Sequence, residues 1–506
     1  MAETYDGFMP LFASKAAREP ARRFATFEGQ PFTYGDLDRW SGSLAHRLAD
    51  TGVAPGDRVA LMLRNSPLAL AALFAIGKAG AVWVPVNTES VGDNLAYILD
   101  HARPRLLIAD GDLLATIAAC GSALAPDRIA DARDAERAMQ ADPARGFDPP
   151  AIDPDQPYAI MYTSGTTGRP KGVLVSHRML RLSGEAAGLV SGARPGDVMH
   201  MWEPLSHIGG AQMIVLPLIR DVSLAMVARF SAGRFWQQVN AAGASHIHFL
   251  GGILQILLKQ PPGPLDRTHG ARTAWGGGCP SEVWRPFEQR FGVAIRECYG
   301  MTECSSVTTA NLDGTLGSVG RPMPWFDVTI RRPDGTPVDG GERGEIVVTT
   351  SLSGAMTKGY LDDPAATAKA LRAGAFYTGD YGSRDSQGNM SFHGRMSDSA
   401  RVKGQNVSAL EVESVAGKHP DVEDCAMIAV AADVGEQDIK LFVKPRAGAA
   451  ITPNELSDWL EPRLAPYQRP RYVMIVAEFE RTPSLRIMKH RLSTRTDDAW
   501  DRLQHG

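Results

Sequence analysis

Residues 162–172 combine glycines, hydroxyl side chains and one amine in a spacing that suits a polyphosphate. Glycines let backbone N–H groups turn toward an anion, hydroxyls add short donors, and a lysine supplies a mobile point charge. The candidate binding residues here are Thr163, Ser164, Gly165, Thr166, Thr167, Gly168 and Lys171. A P-loop would need glycine before the lysine and Ser or Thr after it. Pro170 and Gly172 occupy those positions, so this is a different kind of phosphate loop, with a plain Ser/Thr/Gly surface loop as the alternative.

Residues 299–303 form a second chemical segment at the end of a predicted strand, where ligands gather in parallel α/β sheets. The ring of Tyr299 can stack on a purine, the hydroxyl of Thr302 can bond a phosphate, and the carboxylate of Glu303 can hold Mg²⁺ beside triphosphate oxygens. An ordinary turn at a strand end is the alternative. We include the neighbours Glu297, Cys298 and Gly300 in this predicted nucleotide site.

Four further segments carry candidate residues. Asp380, in residues 377–380, can accept two ribose hydroxyls, and Arg395 lies shortly after it. The glycine run Gly276, Gly277 and Gly278 leaves the backbone bare, although such runs are often only turns. His207 stands in residues 202–210, where a lone histidine is often a core residue instead.

Together, in this order, these segments resemble the adenylate-forming superfamily of acyl-CoA synthetases, adenylation domains and luciferases. The resemblance implies that residues 163–171 handle the β- and γ-phosphates of ATP. It also implies that Tyr299 stacks adenine, Thr302 touches the α-phosphate, Glu303 binds Mg²⁺, Asp380 holds the ribose, and His207 gates the acyl site. Lys403 and Gly404 correspond to the loop that lines the pantetheine tunnel for CoA. The implied reaction joins a carboxylic acid to a thiol through an acyl-adenylate, with ATP/AMP, Mg²⁺ and CoA as cofactors.

The end of the chain departs from the family pattern. The family's adenylating lysine follows a glycine, whereas Leu485 and Arg486 stand at these positions, and Lys489 lies further along. Arginine is planar, bulkier and less mobile than lysine. Two interpretations stay open: an ordinary ligase in which Arg486 replaces the lysine, which we favour, and a ligase with an impaired adenylating half that acts mainly on preformed acyl-adenylate.

Composition places the chain among globular enzymes of the cytoplasm. It has 506 residues, 44% hydrophobic content and a formal net charge of −4, which predicts several domains and argues against nucleic acid as a partner. Its five cysteines show no CxxC or metal-ligand spacing, which fits a reducing compartment. We predict no signal peptide and no membrane insertion. The oligomeric state is open, with a homodimer as one candidate.

Strands alternating with helices predict an α/β protein with parallel sheets. A β-rich subdomain is expected over residues 317–394, a loop over 131–156, and a fraying tail from Thr494. Following the resemblance, we predict a large N-terminal ATP- and acyl-binding domain at residues 1–394. A small mobile α+β cap follows at 395–506.

The predicted function is an acyl-CoA synthetase, with CoA as the thiol acceptor because no carrier-protein domain is fused to the chain. One alternative is a stand-alone adenylation enzyme that loads a carrier protein, for which Glu203 is the available carboxylate near the acyl segment. The other is a non-catalytic protein that binds a nucleotide or an acyl-adenylate. The sequence does not identify the acid.

Overall fold

The computed structural model describes residues 6–141, 147, 149–163, 169–338, 340–402, 405–432, 437–482 and 486–505. Contacts divide the chain into two compact units. Unit 1 comprises Met1–Asp327 and Val348–Phe376, and unit 2 comprises Val328–Val347 and Tyr377–Gly506. The predicted boundary at 394/395 follows the family pattern and stays a prediction.

The helices are α1 Phe8–Arg18, α2 Tyr34–Asp50, α3 Pro67–Lys78, α4 Gly92–Ala102, α5 Leu114–Ala119, α6 Ala132–Gln140, α7 His177–Ser191, α8 Ile208–Arg220, α9 Phe235–Ala241, α10 Ile253–Lys259, α11 Ser281–Phe291, α12 Pro364–Ala370, α13 Ala409–Ala416, α14 Pro453–Leu460 and α15 Arg502–His505. None of the described helices is long and apolar enough to cross a membrane.

The strands are β1 Arg23–Phe27, β2 Gln30–Thr33, β3 Arg58–Met62, β4 Val82–Pro85, β5 Leu106–Ala109, β6 Ile129–Asp131, β7 Pro157–Thr163, β8 Lys171–Ser176, β9 Val198–Met201, β10 Ser223–Met226, β11 His246–Leu250, β12 Thr273–Gly277, β13 Ala294–Tyr299, β14 Thr309–Ala310, β15 Arg321–Pro322, β16 Asp327–Arg331, β17 Pro337–Val338, β18 Gly344–Thr349, β19 Leu371–Arg372, β20 Ala375–Arg384, β21 Met390–Arg395, β22 Ser399–Val402, β23 Gln405–Ser408, β24 Val422–Ala431, β25 Gln437–Pro445, β26 Tyr472–Ile475 and β27 Trp500–Asp501.

Unit 1 contains two large sheets with parallel centres. Their strand orders are β15-β14-β13-β12-β11-β9-β10-β1-β2 and β6-β5-β3-β4-β7-β8. Strands β9 to β13 pair in parallel within the first sheet, where β2 and the pair β14–β15 run antiparallel at the two ends. In the second sheet, β8 is an antiparallel edge beside β7. Wholly buried Trp83, Trp275 and Trp284 are among the largest core side chains. The α/β class with parallel sheets is therefore confirmed.

Local sequence signals set the helix that follows the phosphate segment. The Ser176 side chain accepts the N–H of Met179, which caps α7, and the helix ends at Gly192 with a φ of 63°. A hydroxyl N-cap and a left-handed glycine are the usual boundaries of a helix. Both ends of α7 are therefore set by local residues.

Unit 2 contains most of the β-rich part and the small α+β part. Strands β17, β16, β18 and β20 are neighbours in that order, and β21 pairs with β20. Strands β22 and β23 form a hairpin, and β24, β25, β26 and β27 form a four-stranded sheet. Val412 of α13 and Leu456 of α14 pack with Leu441 of this sheet in one buried cluster.

Two local predictions were wrong. Residues 132–140, expected in a loop, form α6, because Ala135 and Met139 are buried and the Asp131 carboxylate accepts the N–H of Arg133. The expected fraying tail instead adds β27 beside β26, where buried Asp501 accepts a hydrogen bond from Arg471. Helices α8 and α11 go beyond the predicted elements. Each contains a proline, which obscures a helical pattern.

Candidate active site

Strands β7 and β8 form an antiparallel hairpin whose connecting end carries two predicted site residues. Thr163 ends β7, Lys171 begins β8, and the two are register partners. The residues Ser164, Gly165, Thr166, Thr167 and Gly168 lie outside the described residues, so their phosphate contacts stay predictions. The hairpin thus fixes the backbone position of the predicted phosphate-binding lysine.

The segment after β13 is a tight turn. Tyr299 ends the strand, and the short 3₁₀ turn Thr302–Cys304 follows. Tyr299 and Thr302 are buried, and Glu303 is partly exposed. A Cβ atom at Gly300 would lie 2.0 Å from the carbonyl oxygen of Ser306, so glycine is required there. The turn that carries Tyr299, Thr302 and Glu303 is therefore packed closely against the backbone of Ser306.

Tyr360, which no motif indicated, joins two of the predicted residues in unit 1. Its hydroxyl donates to Glu303 Oε1 at 2.9 Å, and its ring centroid lies 5.1 Å from Lys171 Nζ. The second distance is within the range of a cation–π contact. Lys171 and Glu303, far apart in the sequence, therefore share one aromatic neighbour.

Glu303 is the predicted magnesium ligand. The described residues contain no group of three or more His, Cys, Asp or Glu side chains arranged to hold a metal ion. Proteins often hold Mg²⁺ with one or two carboxylates, with substrate phosphates and water completing the coordination. A single carboxylate near a lysine fits an ion that arrives with a nucleoside triphosphate.

The glycine run at the end of β12 is explained by contacts between backbones. Gly276 has a φ of 152°, and a Cβ atom there would lie 1.8 Å from Phe249 O. At Gly277 it would lie 2.9 Å from Cys298 O, and Gly278 has a φ of 90°. The run therefore allows three neighbouring strand ends to approach closely.

The side chain of Glu297 binds the backbone at the end of this glycine run. Its carboxylate accepts the N–H of Gly278 at 3.1 Å and of Cys279 at 2.9 Å. Burial raises the pKa of Glu297 to about 7, although those two hydrogen bonds lower it. Burial, and then the charge of Glu297, raise the pKa of the Cys298 thiol to about 12. Both residues are buried and support the turn, while their contact with a cofactor stays a prediction.

His207 lies at the N-terminus of α8. Its Nδ1 accepts the N–H of Gly209 at 3.0 Å, so the ring caps the helix. A Cβ atom at Gly210 would lie 2.2 Å from Pro204 O. This part of the chain is therefore closely packed, and the role of His207 as a gate stays a prediction.

Glu203, the carboxylate considered for an amino-acid substrate, is engaged inside the protein. It is wholly buried, with Oε1 2.5 Å from His248 Nδ1 and Oε2 accepting the N–H of Trp202 at 3.2 Å. A buried carboxylate with these partners is not presented to a substrate amine.

The predicted ribose site lies in unit 2. Asp380 on β20 and Arg395 at the end of β21 are register partners, and Arg395 Nε lies 3.0 Å from Asp380 Oδ1. Gly394 has a φ of 103°, and a Cβ atom there would lie 2.7 Å from Ser408 Oγ. Asp380 is 1% exposed, so its carboxylate faces Arg395 inside this unit and its contact with a ribose stays a prediction.

Arg486 belongs to the same unit. Its side chain is exposed. Desolvation by the surrounding protein lowers the pKa of its guanidinium, as does the like charge of Arg395, while Asp380 and Asp398 raise it. Its neighbours Leu485, Lys403 and Gly404 lie outside the described residues. Lys489 Nζ, the substitute considered for the family lysine, is 2.8 Å from Glu413 Oε1 and 3.7 Å from Asp398 Oδ2. Arg486 is thus the better candidate of the two.

A cavity of about 730 Å³ lies elsewhere in unit 1, where Phe12, Lys78 and His177 are among its lining residues. None of the predicted site residues that the structure describes lines it, so it is separate from the predicted chemistry.

Comparison with known sequences settles the family. The model of the family described as "AMP-binding enzyme" matches residues 12–361, and that of its C-terminal domain matches residues 411–485. The chain belongs to the AMP-binding enzyme family. This chain is an AMP-forming acid–thiol ligase that works through an acyl-adenylate, with ATP and CoA.

Curated relatives extend along nearly the whole chain. A medium/long-chain-fatty-acid–CoA ligase, FadD6 of Mycobacterium tuberculosis, is 32% identical over 95% of this chain and 84% of its own length. A crotonobetaine/carnitine–CoA ligase of Salmonella arizonae is 30% identical over 92% of this chain and 93% of its own.

Solved structures agree in fold. ATP-bound MatB from Rhodopseudomonas palustris superposes with a TM-score of 0.84 at 28% identity, covering 95% of this chain and 97% of that one. The o-succinylbenzoate CoA synthetase MenE of Bacillus subtilis, with its acyl-adenylate intermediate, gives a TM-score of 0.86 at 24% identity. It covers 96% of this chain and 97% of its own, and at that identity the likeness supports the fold alone.

Proposed function

We propose that this AMP-binding enzyme converts a fatty acid, whose acyl tail carries no charge, into its CoA thioester. The observation that carries the proposal is the arrangement of Lys171, Tyr360 and Glu303, which sets a cation and a carboxylate beside the segment that ends in Tyr299. A cation and a metal-binding carboxylate are what in-line attack at a triphosphate requires. Bound Mg²⁺ would neutralise charge on the phosphates, and Glu303 would hold it.

The engagement of Glu203 favours an uncharged acyl tail. A substrate with an ammonium group, such as an amino acid or a betaine, is best recognised by an open carboxylate or an aromatic cage. Glu203 instead faces His248 and the backbone of Trp202. The buried, paired carboxylate of Glu203 therefore favours the substrate class named for the mycobacterial relative over that named for the Salmonella relative.

A panel of acids tests the proposal directly. Octanoate, palmitate, crotonobetaine and alanine are each incubated with Mg·ATP and CoA, and AMP and acyl-CoA are quantified by mass spectrometry. We expect AMP and acyl-CoA in equal amounts from a fatty acid and little from the charged substrates. Glu303→Gln serves as the inactive control. If no acid gives acyl-CoA, the proposed function is wrong.

The same assay separates the alternatives. Replacing CoA by a pantetheinylated carrier protein tests the adenylation enzyme that loads a carrier. Supplying preformed acyl-adenylate with CoA measures the thioester-forming half alone, and thioester from that reaction excludes a non-catalytic binding protein. We propose that Arg486 takes the place of the adenylating lysine. A much faster reaction from supplied adenylate than from acid and ATP would show that the adenylating half is impaired.

Four remaining predictions have their own measurements. Limited proteolysis with and without ligands checks the boundary at 394/395 and the mobile cap. Light scattering checks the homodimer, and fractionation of cells expressing a tagged chain checks the cytoplasmic location. Alanine substitutions at Thr163, Asp380 and Arg395 check three of the predicted site residues.

A further inference from the structure

Residues 357–361 pair with the edge of the strand that carries Lys171. Leu174 N donates to Gly359 O at 3.1 Å, Leu361 N donates to Gly172 O at 2.8 Å, and Val173 and Tyr360 form an antiparallel bridge. The side chain of Thr357 also donates to Leu174 O at 2.8 Å. We call residues 357–361 the strap.

The strap also holds the backbone of the turn that carries Glu303. Thr357 N donates to Glu303 O at 2.8 Å, and Ser305 Oγ donates to Ala355 O at 2.7 Å, just before the strap. The strap is itself fixed, because Tyr360 N donates to Thr367 Oγ1 at 3.0 Å. One short segment therefore sets two parts of the predicted nucleotide site relative to each other.

The side chain of Tyr360 repeats this connection at the level of the charged groups. Its hydroxyl donates to one carboxylate oxygen of Glu303, and its ring lies within cation–π range of the Lys171 ammonium. Both charged residues are described, and no ion pair joins them to each other. The phenol contacts both charged groups, the ammonium through its ring and the carboxylate through its hydroxyl, and its hydrogen bond engages only Oε1 of the two carboxylate oxygens.

We propose that Tyr360 is a positioning residue that keeps Lys171 and Glu303 apart and oriented toward Mg·triphosphate. Without the phenol, the two opposite charges are free to approach and neutralise each other, so that a bound nucleotide must first separate them. The proposal rests on the proposed function, because it assumes that this site takes Mg·ATP. Tyr360 acts through Lys171 and Glu303 and is not itself assigned to the chemistry.

The test uses the full chain and measures ATP binding by calorimetry as Mg²⁺ is titrated. Tyr360→Phe keeps the ring and removes the hydrogen bond to Glu303. We expect the Mg²⁺ concentration for half-maximal ATP binding to rise about three- to tenfold. Tyr360→Leu removes the ring as well and should weaken ATP binding at saturating Mg²⁺ by about a further threefold.

Tyr158→Phe is a matched control. The Tyr158 hydroxyl is buried in unit 1 and donates to Leu73 O at 2.9 Å. Removing this hydroxyl costs one hydrogen bond that involves neither Lys171 nor Glu303. The substitution should therefore lower thermal stability and leave the Mg²⁺ midpoint unchanged.

A double variant tests whether Tyr360 acts through Glu303. If Tyr360 acts through the carboxylate, Tyr360→Phe should change the Mg²⁺ midpoint of Glu303→Gln by less than about twofold.

The outcomes divide cleanly. The proposal would be overturned by an unchanged Mg²⁺ midpoint in Tyr360→Phe or by an equal shift in Tyr158→Phe. It would also be overturned if the effects of Tyr360→Phe and Glu303→Gln on the midpoint were additive. Binding is measured without acid or CoA, so it does not depend on turnover. A wild-type chain that binds Mg·ATP and yields no acyl-CoA would refute the proposed function and still test the role of Tyr360.

Discussion

The carboxyl of Glu297 should make the stability of the protein fall between pH 5 and pH 8. In the folded chain burial raises its pKa to about 7 from an ordinary value of 4.5. The folded state therefore binds more protons than the unfolded state between these values. The stability associated with this group is fully present below pH 4.5 and is lost as the pH rises through 7.

The size of the effect follows from the two pKa values. A tenfold change in proton affinity is worth ~1.4 kcal/mol, so the difference between 4.5 and about 7 amounts to ~3 kcal/mol. Glu297→Gln keeps an oxygen that can accept the N–H groups of Gly278 and Cys279 and cannot ionise. Relative to wild type, the variant should therefore gain ~3 kcal/mol from pH 5 to pH 8.

Thermal unfolding of both chains by calorimetry at pH 5, 6, 7 and 8 measures this gain. A chain with two units need not unfold in two states. The quantity to compare is therefore the melting temperature of Glu297→Gln minus that of wild type, followed as the pH changes. Glu288→Gln is the control, because Glu288 also accepts a backbone N–H, from Ile295 at 3.1 Å, and is partly exposed. Parallel curves for wild type and Glu297→Gln would refute the reasoning, as would the same slope in the control.

Three further predictions concern single positions. His200 is buried with its pKa lowered to about 4 by burial, so wild type should lose ~3 kcal/mol relative to His200→Leu as the pH falls from 6.5 to 4. Calorimetry over that range checks this, and a constant difference would contradict it. Gly276→Ala places a Cβ atom 1.8 Å from Phe249 O and should cost at least ~3 kcal/mol. It should lower activity on short and long acids alike, so a selective loss of long acids in the acid panel would be evidence against the backbone explanation. Arg486→Lys restores a mobile ammonium and should raise the rate of adenylation roughly tenfold. Thioester formation from supplied adenylate should not change, and equal effects on both halves, measured by quenched flow, would argue against a role in adenylation.

The segments of the candidate site could be picked out from the sequence because the residues of each lie close together in the chain. Tyr299, Thr302 and Glu303 follow one another at the end of a strand, and Lys171 closes a short segment between two strands. Each motif needs only its own stretch of chain to form. The parallel sheets were predictable for a similar reason, since alternating apolar strands and helices encode them locally.

Tyr360 could not be found in this way. It reaches Glu303 across 57 residues of sequence, and only because the strap pairs with β8. Pairing between distant segments leaves no local pattern, and an aromatic residue after a glycine is unremarkable. The pairing of Glu203 with His248, 45 residues away, was hidden for the same reason.

The glycines show how one residue type can suggest the wrong physical role. A residue without a side chain can be taken to leave open space for a substrate, yet Gly210, Gly276 and Gly277 are close to carbonyl oxygens of other segments. A side chain at these positions would clash with the backbone of the neighbouring segment. Its main effect would be to separate the strands and the start of α8, not to shorten an acyl pocket. The glycines therefore set the distance between elements, and selectivity for the acid must come from the side chains that those elements present. The locked carboxylate of Glu203 is one such side chain, since it withdraws a charge that a cationic acid would need.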